Sequence, residues 1–373
     1  MKKIVLVNQV AGPMFVDMAN FYLNNGFDVQ LLTGKVEQTA HCLDNDVKIV
    51  KLISYKRNHP ITRIITWLIF TVQTYLLLKR LEENVEVLLV SNPPFVPLLG
   101  YFLRSKCNLV FKILIYDIYP DVLENSGYFK RNSWFSRRWR QLNIYAYNQA
   151  SKLYTVSDGM KNILTQYASD IKWNVVYPWV DTNFIKPISK SENPFVKKYG
   201  LENKLVILYS GNMGATHNLM PLLYLAKSLI DHKNFLFLFI GDGVGKQRLA
   251  DFAKKQNLTN TLFLPFQSSE TLPFSLTSAD IGVVSLSGSS AQLSIPSKIF
   301  YQLSAGNCIL CITEEDSELS KIIIENKCGF IFSSVEKVKE ILLSMTEADL
   351  SVLKSNALIS VHKYTNNNLI LFQ

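Results

Sequence analysis

Twelve short runs rich in Val, Ile, Leu and Phe recur from one end of the chain to the other, each separated from the next by a stretch with helical spacing. Near-continuous apolar strands alternating with helix-length segments belong to parallel sheets joined by crossover helices. "KIVLVNQ", "DVQLLTG", "VEVLLVSN", "LVFKILIYD", "KLYTVSD" and "WNVVYP" form a first series, and "LVILYSG", "FLFLFIGDG", "TLFLP", "IGVVSL", "CILCIT" and "GFIFS" a second. Between them, "YPWVDTNFIKPISKSENP" (177–194) is polar and broken by proline, as a domain seam is. The length of 373 residues also exceeds the roughly 250–300 at which single cores stop growing. The expected fold class is therefore α/β, with two doubly wound Rossmann-like domains. Ligands of open α/β sheets sit beyond the carboxyl ends of the strands, so two such sheets facing one another would bind in the cleft between them.

Charge is distributed unevenly. Residues 1–187 carry 22 basic and 14 acidic side chains, and residues 188–373 carry 17 and 16. A basic first half favours an anionic partner without saying whether it is a nucleotide, a nucleic acid or a bilayer. Five cysteines in mostly apolar surroundings, with no signal peptide before the first strand, point to a reducing cytosol. Cys308 and Cys311 form a C-x-x-C, but the apolar spacer and the lack of a second ligand pair favour buried strand cysteines over a redox or zinc site. The longest uncharged run, Ile64 to Leu78, has 15 residues, short of the roughly 20 that cross a bilayer. It is expected to pack or to lie at an interface.

The loops after strands are where chemistry is expected. "GNMGATHN" follows the seventh run, and Gly211 and Gly214 permit a tight strand-to-helix turn whose backbone N–H groups would face an anion. His217 in that turn would add a hydrogen bond to a phosphate. A purely structural turn is the alternative. "GDGVG" places Gly241 after the next strand, beside Asp242, a cap or loop acid. "SGSSAQLSIPSKIF" is a small-residue loop whose one charge is Lys298, with Pro296 at the start of a helix; serines, N–H groups and one lysine would cradle a diphosphate. In the first half, Gly12 of "VNQVAGP" lies where a backbone could approach an anion. Asp117 and Asp121 of "YDIYPD" are helix caps or functional acids.

"YFKRNSWFSRRWRQL" (128–142) holds five basic residues, five aromatics and no acid. Such a stretch could track phosphates and stack on bases, settle among anionic headgroups, or simply be a solvated helix face with its rings in the core.

In order along the chain, "YDIYPD", "LYTVSDGMKNIL", "YPWVDTNFIKP", "VILYSGNMGATHNL", "IGDGVGKQRL", "LPFQSSETLPFSLTSADIGVVSL" and "PSKIFYQLSAGNCIL" closely resemble the family 4 glycosyltransferases of GT-B fold, most of all the branch that builds bacterial surface polysaccharides. The resemblance implies an acceptor-binding domain at 1–182 and a nucleotide-sugar donor domain at 183–351, facing across a cleft, with a helix at about 352–373 packing back on the first. It also implies transfer from a nucleotide sugar, UDP in most expectation, to an undecaprenyl diphosphate-linked saccharide. Retention of anomeric configuration, no metal and no other cofactor are part of the same expectation. Gly12 would face the donor phosphate. Gly211, Asn212, Gly214, His217, Gly241, Ser297 and Lys298 would bind the donor, and Pro265 and Phe266 would border the base. Asp117 falls where family members place an acid or histidine near the reacting sugar and is the catalytic candidate.

The chain departs from the family pattern in two places. Asn212 and His217 stand where many members have Arg and Lys, and the two glutamates of E-x7-E fall on Leu293 and Tyr301, leaving Ser297 or Ser294 to contact the ribose. No D-x-D stands at a strand end. A lipid-linked acceptor would bring the first domain to the cytoplasmic face of the membrane, as a peripheral protein, with Trp134, Phe135, Arg137, Arg138, Trp139 and Arg140 as its contact. Nucleic acid is not expected as a partner. The alternatives are a nucleotide-sugar 2-epimerase, whose carboxylate and histidine pattern is not apparent, and a non-catalytic basic binder of membrane or nucleic acid.

Overall fold

A computed structural model of the chain describes all residues except 1, 38–41, 57–58, 83–84, 108, 126, 170, 215–216, 287–294 and 373. It divides into two compact units, Met1–Tyr177 with Asn367–Gln373, and Pro178–Asn366.

In the first unit the strands are β1 (Lys2–Val7), β2 (Val10–Ala11), β3 (Phe27–Thr33), β4 (Lys35–Val36), β5 (Lys48–Lys51), β6 (Val85–Val90), β7 (Val110–Ile115), β8 (Lys152–Thr155) and β9 (Trp173–Val175). The helices are α1 (Pro13–Asn24), α2 (Pro60–Leu78), α3 (Leu98–Cys107), α4 (Asp121–Asn125), α5 (Trp134–Gln149) and α6 (Asp158–Tyr167). Seven strands make one parallel sheet in the order β5-β3-β1-β6-β7-β8-β9, and β2 pairs with β4 beside it. Its central strands are buried on both faces, which is why they read as unbroken apolar runs.

The second unit contains α7 (Pro194–Tyr199), β10 (Leu205–Ser210), α8 (Met220–Ser228), β11 (Phe235–Ile240), α9 (Lys246–Lys255), β12 (Thr261–Leu264), α10 (Leu272–Thr277), β13 (Ile281–Ser285), α11 (Lys298–Ser304), β14 (Cys308–Ile312), α12 (Glu318–Asn326), β15 (Gly329–Ile331), α13 (Val335–Ser344) and α14 (Glu347–Val361). Its sheet runs β12-β11-β10-β13-β14-β15, all parallel. The order reverses between β10 and β13, the topological switch point at which doubly wound sheets bind ligands. Local signals agree with the assignments: Asn193 caps α7 and Gly200 ends it in the left-handed region, while Thr346 and Asp349 close a capping box on α14.

The chain's return differs from the expectation. The seam falls at 177/178, and α14 packs on α11 and β14 of the second unit, so that 367–373 alone rejoins the first. The reason is local chemistry. Phe372 is fully buried against the Tyr154 ring (centroids 4.4 Å apart), and its carbonyl accepts from Tyr22 Oη (2.9 Å) and Lys112 Nζ (3.0 Å). Lys112, itself buried, also pairs with Glu86 at 2.8 Å.

Helix α2 also exceeds its expected length. Pro60 occupies the first turn and His59 Nδ1 accepts from Ile61 N (3.3 Å), so the helix starts before Arg63, which interrupts the uncharged run but not the helix. Ile61–Leu78 is long and apolar enough to cross a membrane, which corrects the reading of this segment as too short.

Candidate functional site

At the switch point of the second sheet, the turns after β10 and β11 are locked into one another. Gly211 and Gly241 both have φ near +140°, and a Cβ on Gly241 would stand 2.0 Å from the Gly211 carbonyl oxygen. No L side chain fits there, so both glycines are needed for the two backbones to approach. Three N–H groups fasten the pair, Gly211 N to Ile240 O (2.8 Å), Met213 N to Asp242 O (2.7 Å) and Gly245 N to Met213 O (2.9 Å), while Gly241 N bonds to Leu264 O at the end of β12 (3.0 Å) and Gly243 N to Asp242 Oδ1 within its own turn (2.8 Å). These five groups are engaged within the protein, and the part of the turn that would present its backbone to a phosphate runs on from Asn212 through 215–216, the last two outside the described residues. Asp242 is the loop acid anticipated.

Side chains converge on the same turn. Lys298, the first residue of α11, reaches across from beyond β13 to donate to Tyr209 Oη at 2.8 Å, with Nζ 4.4 Å from the ring centroid and close to Gly211. Its partner among the described residues is thus a phenol and not a carboxylate, and burial pulls the ammonium down to about 8. Tyr209 Oη in turn donates to the Asn212 carbonyl (2.5 Å). His217 is bonded through Nδ1 to the Ser285 carbonyl at the end of β13 (2.8 Å); with Nδ1–H donating, Nε2 is the ring nitrogen left without a hydrogen-bond partner among the described residues. Burial, then the nearby Lys298, lowers its affinity for a second proton. Asn212 lies over Gly214, with Nδ2 2.9 Å from the position a Cβ would take there.

The structure thus brings Gly211, Asn212, Gly214, His217, Gly241 and Lys298 together. Ser297, exposed, immediately precedes α11, and Pro296 lies before that helix and not within it. Pro265 and Phe266 follow β12, two strands from β10, and Phe266 is 57% exposed, an open ring face at the same sheet edge. Tyr301 is on α11, whereas Leu293 and Ser294 lie outside the described residues, as do 215–216 of the glycine turn. Cys308 and Cys311 are fully buried on β14, their thiols pushed up by burial, the first to about 12. Among the described residues no His, Cys, Asp and Glu cluster is positioned to hold a metal. A cavity of about 880 Å³ opens at the opposite edge of the sheet, where strands begin; there Lys190 and Lys354 both pair with Asp280, so it does not coincide with the glycine turns.

The first unit holds Gly12 and Asp117. Gly12 precedes α1, and its carbonyl accepts from Phe15 N and Val16 N; the Glu37 carboxylate lies beside it. Asp117 follows β7 in a turn fixed by Ser91, whose Oγ accepts from Tyr116 N (2.9 Å) and Asp117 N (3.2 Å). Burial raises its carboxyl to about 6. Asp121 is a structural acid: it pairs with Arg140 at 3.1 Å and accepts from Tyr167 Oη.

Two of the six membrane-contact candidates are excluded by packing. Trp139 is 4% exposed, stacked on Phe95 and Tyr119, and Arg140 is drawn inward by Asp121 and Glu124 (2.5 Å) with Asn132 and Tyr167. Trp134, Phe135, Arg137 and Arg138 remain exposed. Sequence reasoning missed Tyr209 and the Ser285 carbonyl; an aromatic one residue from a strand's carboxyl end, just before a glycine turn, was the available signal for the first.

Residues 191–348, within the second unit, match the family Glycosyl transferases group 1. WbjE of Pseudomonas aeruginosa, assigned as a glycosyltransferase, is 26% identical over 68% of this chain and 64% of its own length. WcaI of Escherichia coli (strain K12), assigned to colanic acid biosynthesis, is 34% identical over 32% of this chain and 30% of its own. The chain therefore spans less than two thirds of either relative. The fold matches HepE of Anabaena, solved with UDP and glucose, at a TM-score of 0.73 and 13% identity, over 100% of this chain and 98% of that one. The second unit is a Glycosyl transferases group 1 domain, carried on a chain of two Rossmann-like domains with the GT-B fold.

Proposed function

We propose that the protein is a glycosyltransferase that moves a sugar from a UDP-sugar to an undecaprenyl diphosphate-linked saccharide in the synthesis of a bacterial surface polysaccharide. The observation that carries this reading is Lys298, a half-buried ammonium held by a phenol at the switch point of a Glycosyl transferases group 1 domain. A diphosphate supplies the counter-charge that Tyr209 does not. As the sugar leaves, negative charge grows on the diphosphate, and a cation fixed in place beforehand stabilises it without reorganising at the moment of reaction. His217, able to take up a proton at Nε2 once an anion approaches, adds a second donor. Phe266 offers its exposed ring to the base. No enzymic nucleophile is required if the departing phosphate accepts the proton of the acceptor hydroxyl on the same face, which retains configuration; the reaction then proceeds without a metal ion. The name of WbjE supports glycosyl transfer, that of WcaI the synthesis of a bacterial polysaccharide, and the UDP bound by HepE the donor class.

The test is a panel of sugar nucleotides incubated with lipid-linked acceptors, with products weighed by mass spectrometry and their anomers assigned by NMR. An acceptor heavier by one sugar, with UDP released and activity retained in a chelator, is the expected result. Absence of UDP binding, or release of an epimerised sugar nucleotide without acceptor, would sink the reading.

A further inference from the structure

Helix α2 carries large apolar side chains on both sides, but protein covers one side alone. Trp67, Phe70, Thr74 and Leu78 are buried in the first unit, and the helix is tied down by Gln9 Nε2 to the Thr66 carbonyl (3.0 Å) and Ile53 N to Gln73 Oε1 (3.0 Å). On the other side Ile61, Ile64, Ile65, Leu68, Val72 and Leu76 are each 46–62% exposed, and their spacing of three and four residues aligns them in a single stripe. Scattered exposed leucines need no explanation, but a stripe four turns long does. α2 packs against α3 and α3 against α5, and Arg63 lies over both Trp67 (5.2 Å) and the exposed ring of Tyr128 (5.6 Å), joining the stripe to the segment that leads into α5.

Charge identifies what covers this stripe. None of α2, α3 and α5 contains an Asp or Glu, while Arg104, Arg137 and Arg138 are exposed on the last two, and just beyond α2 Lys79 and Arg80 are exposed ahead of an exposed acid, Glu82. A second copy docked face to face would bring two basic rims together, and a neutral partner would not use them. We propose that α2 lies in the surface of an anionic bilayer, its outer stripe among the acyl chains and the arginines of α3 and α5 at the phosphates. Its inner side, packed into the unit, makes it a helix that lies on the membrane and does not span it. The proposal stands on the first unit alone, independent of the transfer reaction.

Trp134, on the same helix as Arg137 and Arg138, is 68% exposed, whereas the other four tryptophans are 3–6% exposed. Its fluorescence therefore reports insertion. With the full chain and vesicles of phosphatidylcholine and phosphatidylglycerol, the expected result is a blue shift, quenching by brominated acyl chains, and co-sedimentation that phosphatidylcholine alone does not give. Ile65→Ser with Leu68→Ser is expected to weaken vesicle binding at least about tenfold, since both lose apolar area to bury. Arg137→Glu with Arg138→Glu is expected to weaken binding to the anionic vesicles by more than about tenfold. Both variants alter exposed positions and are expected to keep the wild-type melting temperature and UDP affinity. Three results would overturn the proposal: no binding to anionic vesicles, retention in the bilayer after alkaline carbonate, which indicates a span, or a dimer in lipid-free solution that the α2 variant dissolves.

Discussion

Lys298 donates to Tyr209 Oη at 2.8 Å, while Tyr209 Oη itself donates to the carbonyl of Asn212. The phenol is thus pinned to the glycine turn and presents the lysine with an oxygen lone pair and no net charge. A cation in that position is available to a ligand, and it is unfavourable for the protein while the ligand is absent. Lys298→Met is expected to reduce UDP affinity by about tenfold or more, on the scale of a charge-assisted hydrogen bond. The same change is expected to stabilise the protein at neutral pH by about 1–3 kcal/mol, because it removes a desolvated ammonium. Calorimetric titration with UDP and a thermal melt check both; unchanged UDP affinity would remove Lys298 from the site.

The pH dependence follows from the same residue. Burial lowers its pKa from 10.5 to about 8, so the charged form is lost as pH rises through about 8. UDP affinity is expected to hold to about pH 8 and then fall by up to about tenfold per unit, with proton uptake on binding. The stability contribution has the opposite sense. Between about 8 and 10.5 the folded state binds fewer protons than the unfolded state, so the penalty of burying the ammonium is complete below about 8 and relieved as pH rises through that window. In Lys298→Met both trends disappear.

Gly241→Ala tests the locked turns. Its Cβ would fall 2.0 Å from the Gly211 carbonyl oxygen, a backbone atom that cannot swing aside, and φ is +142°. UDP binding is expected to be lost and the melting temperature lowered. Gly200→Ala is the control: φ there is also positive, at +63°, but nothing lies within 4 Å, so a strain of about 1 kcal/mol with unchanged UDP affinity is expected.

What the sequence discloses and what it hides have a common physical origin. The twelve apolar runs all became strands because parallel strands buried on both faces leave no room for polar residues. β5 escaped notice because it is an edge strand, with Lys48 and Lys51 outward and Ile49 exposed. Gly211, His217 and Lys298 were legible as loop residues after strands, yet Tyr209 was not, since a tyrosine inside "VILYS" reads as core until its hydroxyl is located. Along α5 the buried residues Ser136, Trp139, Asn143, Ala146 and Tyr147 keep helical spacing, so the inward turn of Trp139 was present in the pattern. Arg140 was not: its direction is set by Asp121 and Glu124, acids from another helix that no local period reveals.

Asp117→Asn tests whether chemistry and donor binding separate at this residue. Burial raises its pKa from 3.8 to about 6, so the carboxylate forms as pH rises through about 6 and turnover is expected to rise with it. Asp117→Asn keeps the shape and the Ser91 contacts of the turn, which are made by backbone. Turnover is expected to fall by about a hundredfold or more, on the scale of losing one preorganised electrostatic group at the reacting sugar, with UDP affinity within about twofold. Stability should not fall at neutral pH. A carboxyl whose folded pKa is raised is unfavourable when ionised, so its penalty is present above about 6 and fades as pH falls toward 3.8, and the amide removes it. Wild-type turnover in the variant would sink the assignment.

Phe372 gives the last and most quantitative expectation. The ring fills a fully buried site against Tyr154, and the backbone carbonyl of the same residue receives both Tyr22 Oη and the buried Lys112 Nζ. Phe372→Ala removes the ring but keeps the carbonyl, so the expected loss is that of a large-to-small core change, about 3–5 kcal/mol in the first unit. Ending the chain before Asn367 removes the carbonyl as well, leaving Lys112 with Glu86 in a buried position and one hydrogen bond short. That truncation is expected to cost about 1–3 kcal/mol more than Phe372→Ala, the penalty of a buried polar group left unsatisfied. Denaturant unfolding followed by tryptophan fluorescence measures both, and equal midpoints for the two variants would show that Lys112 finds another partner.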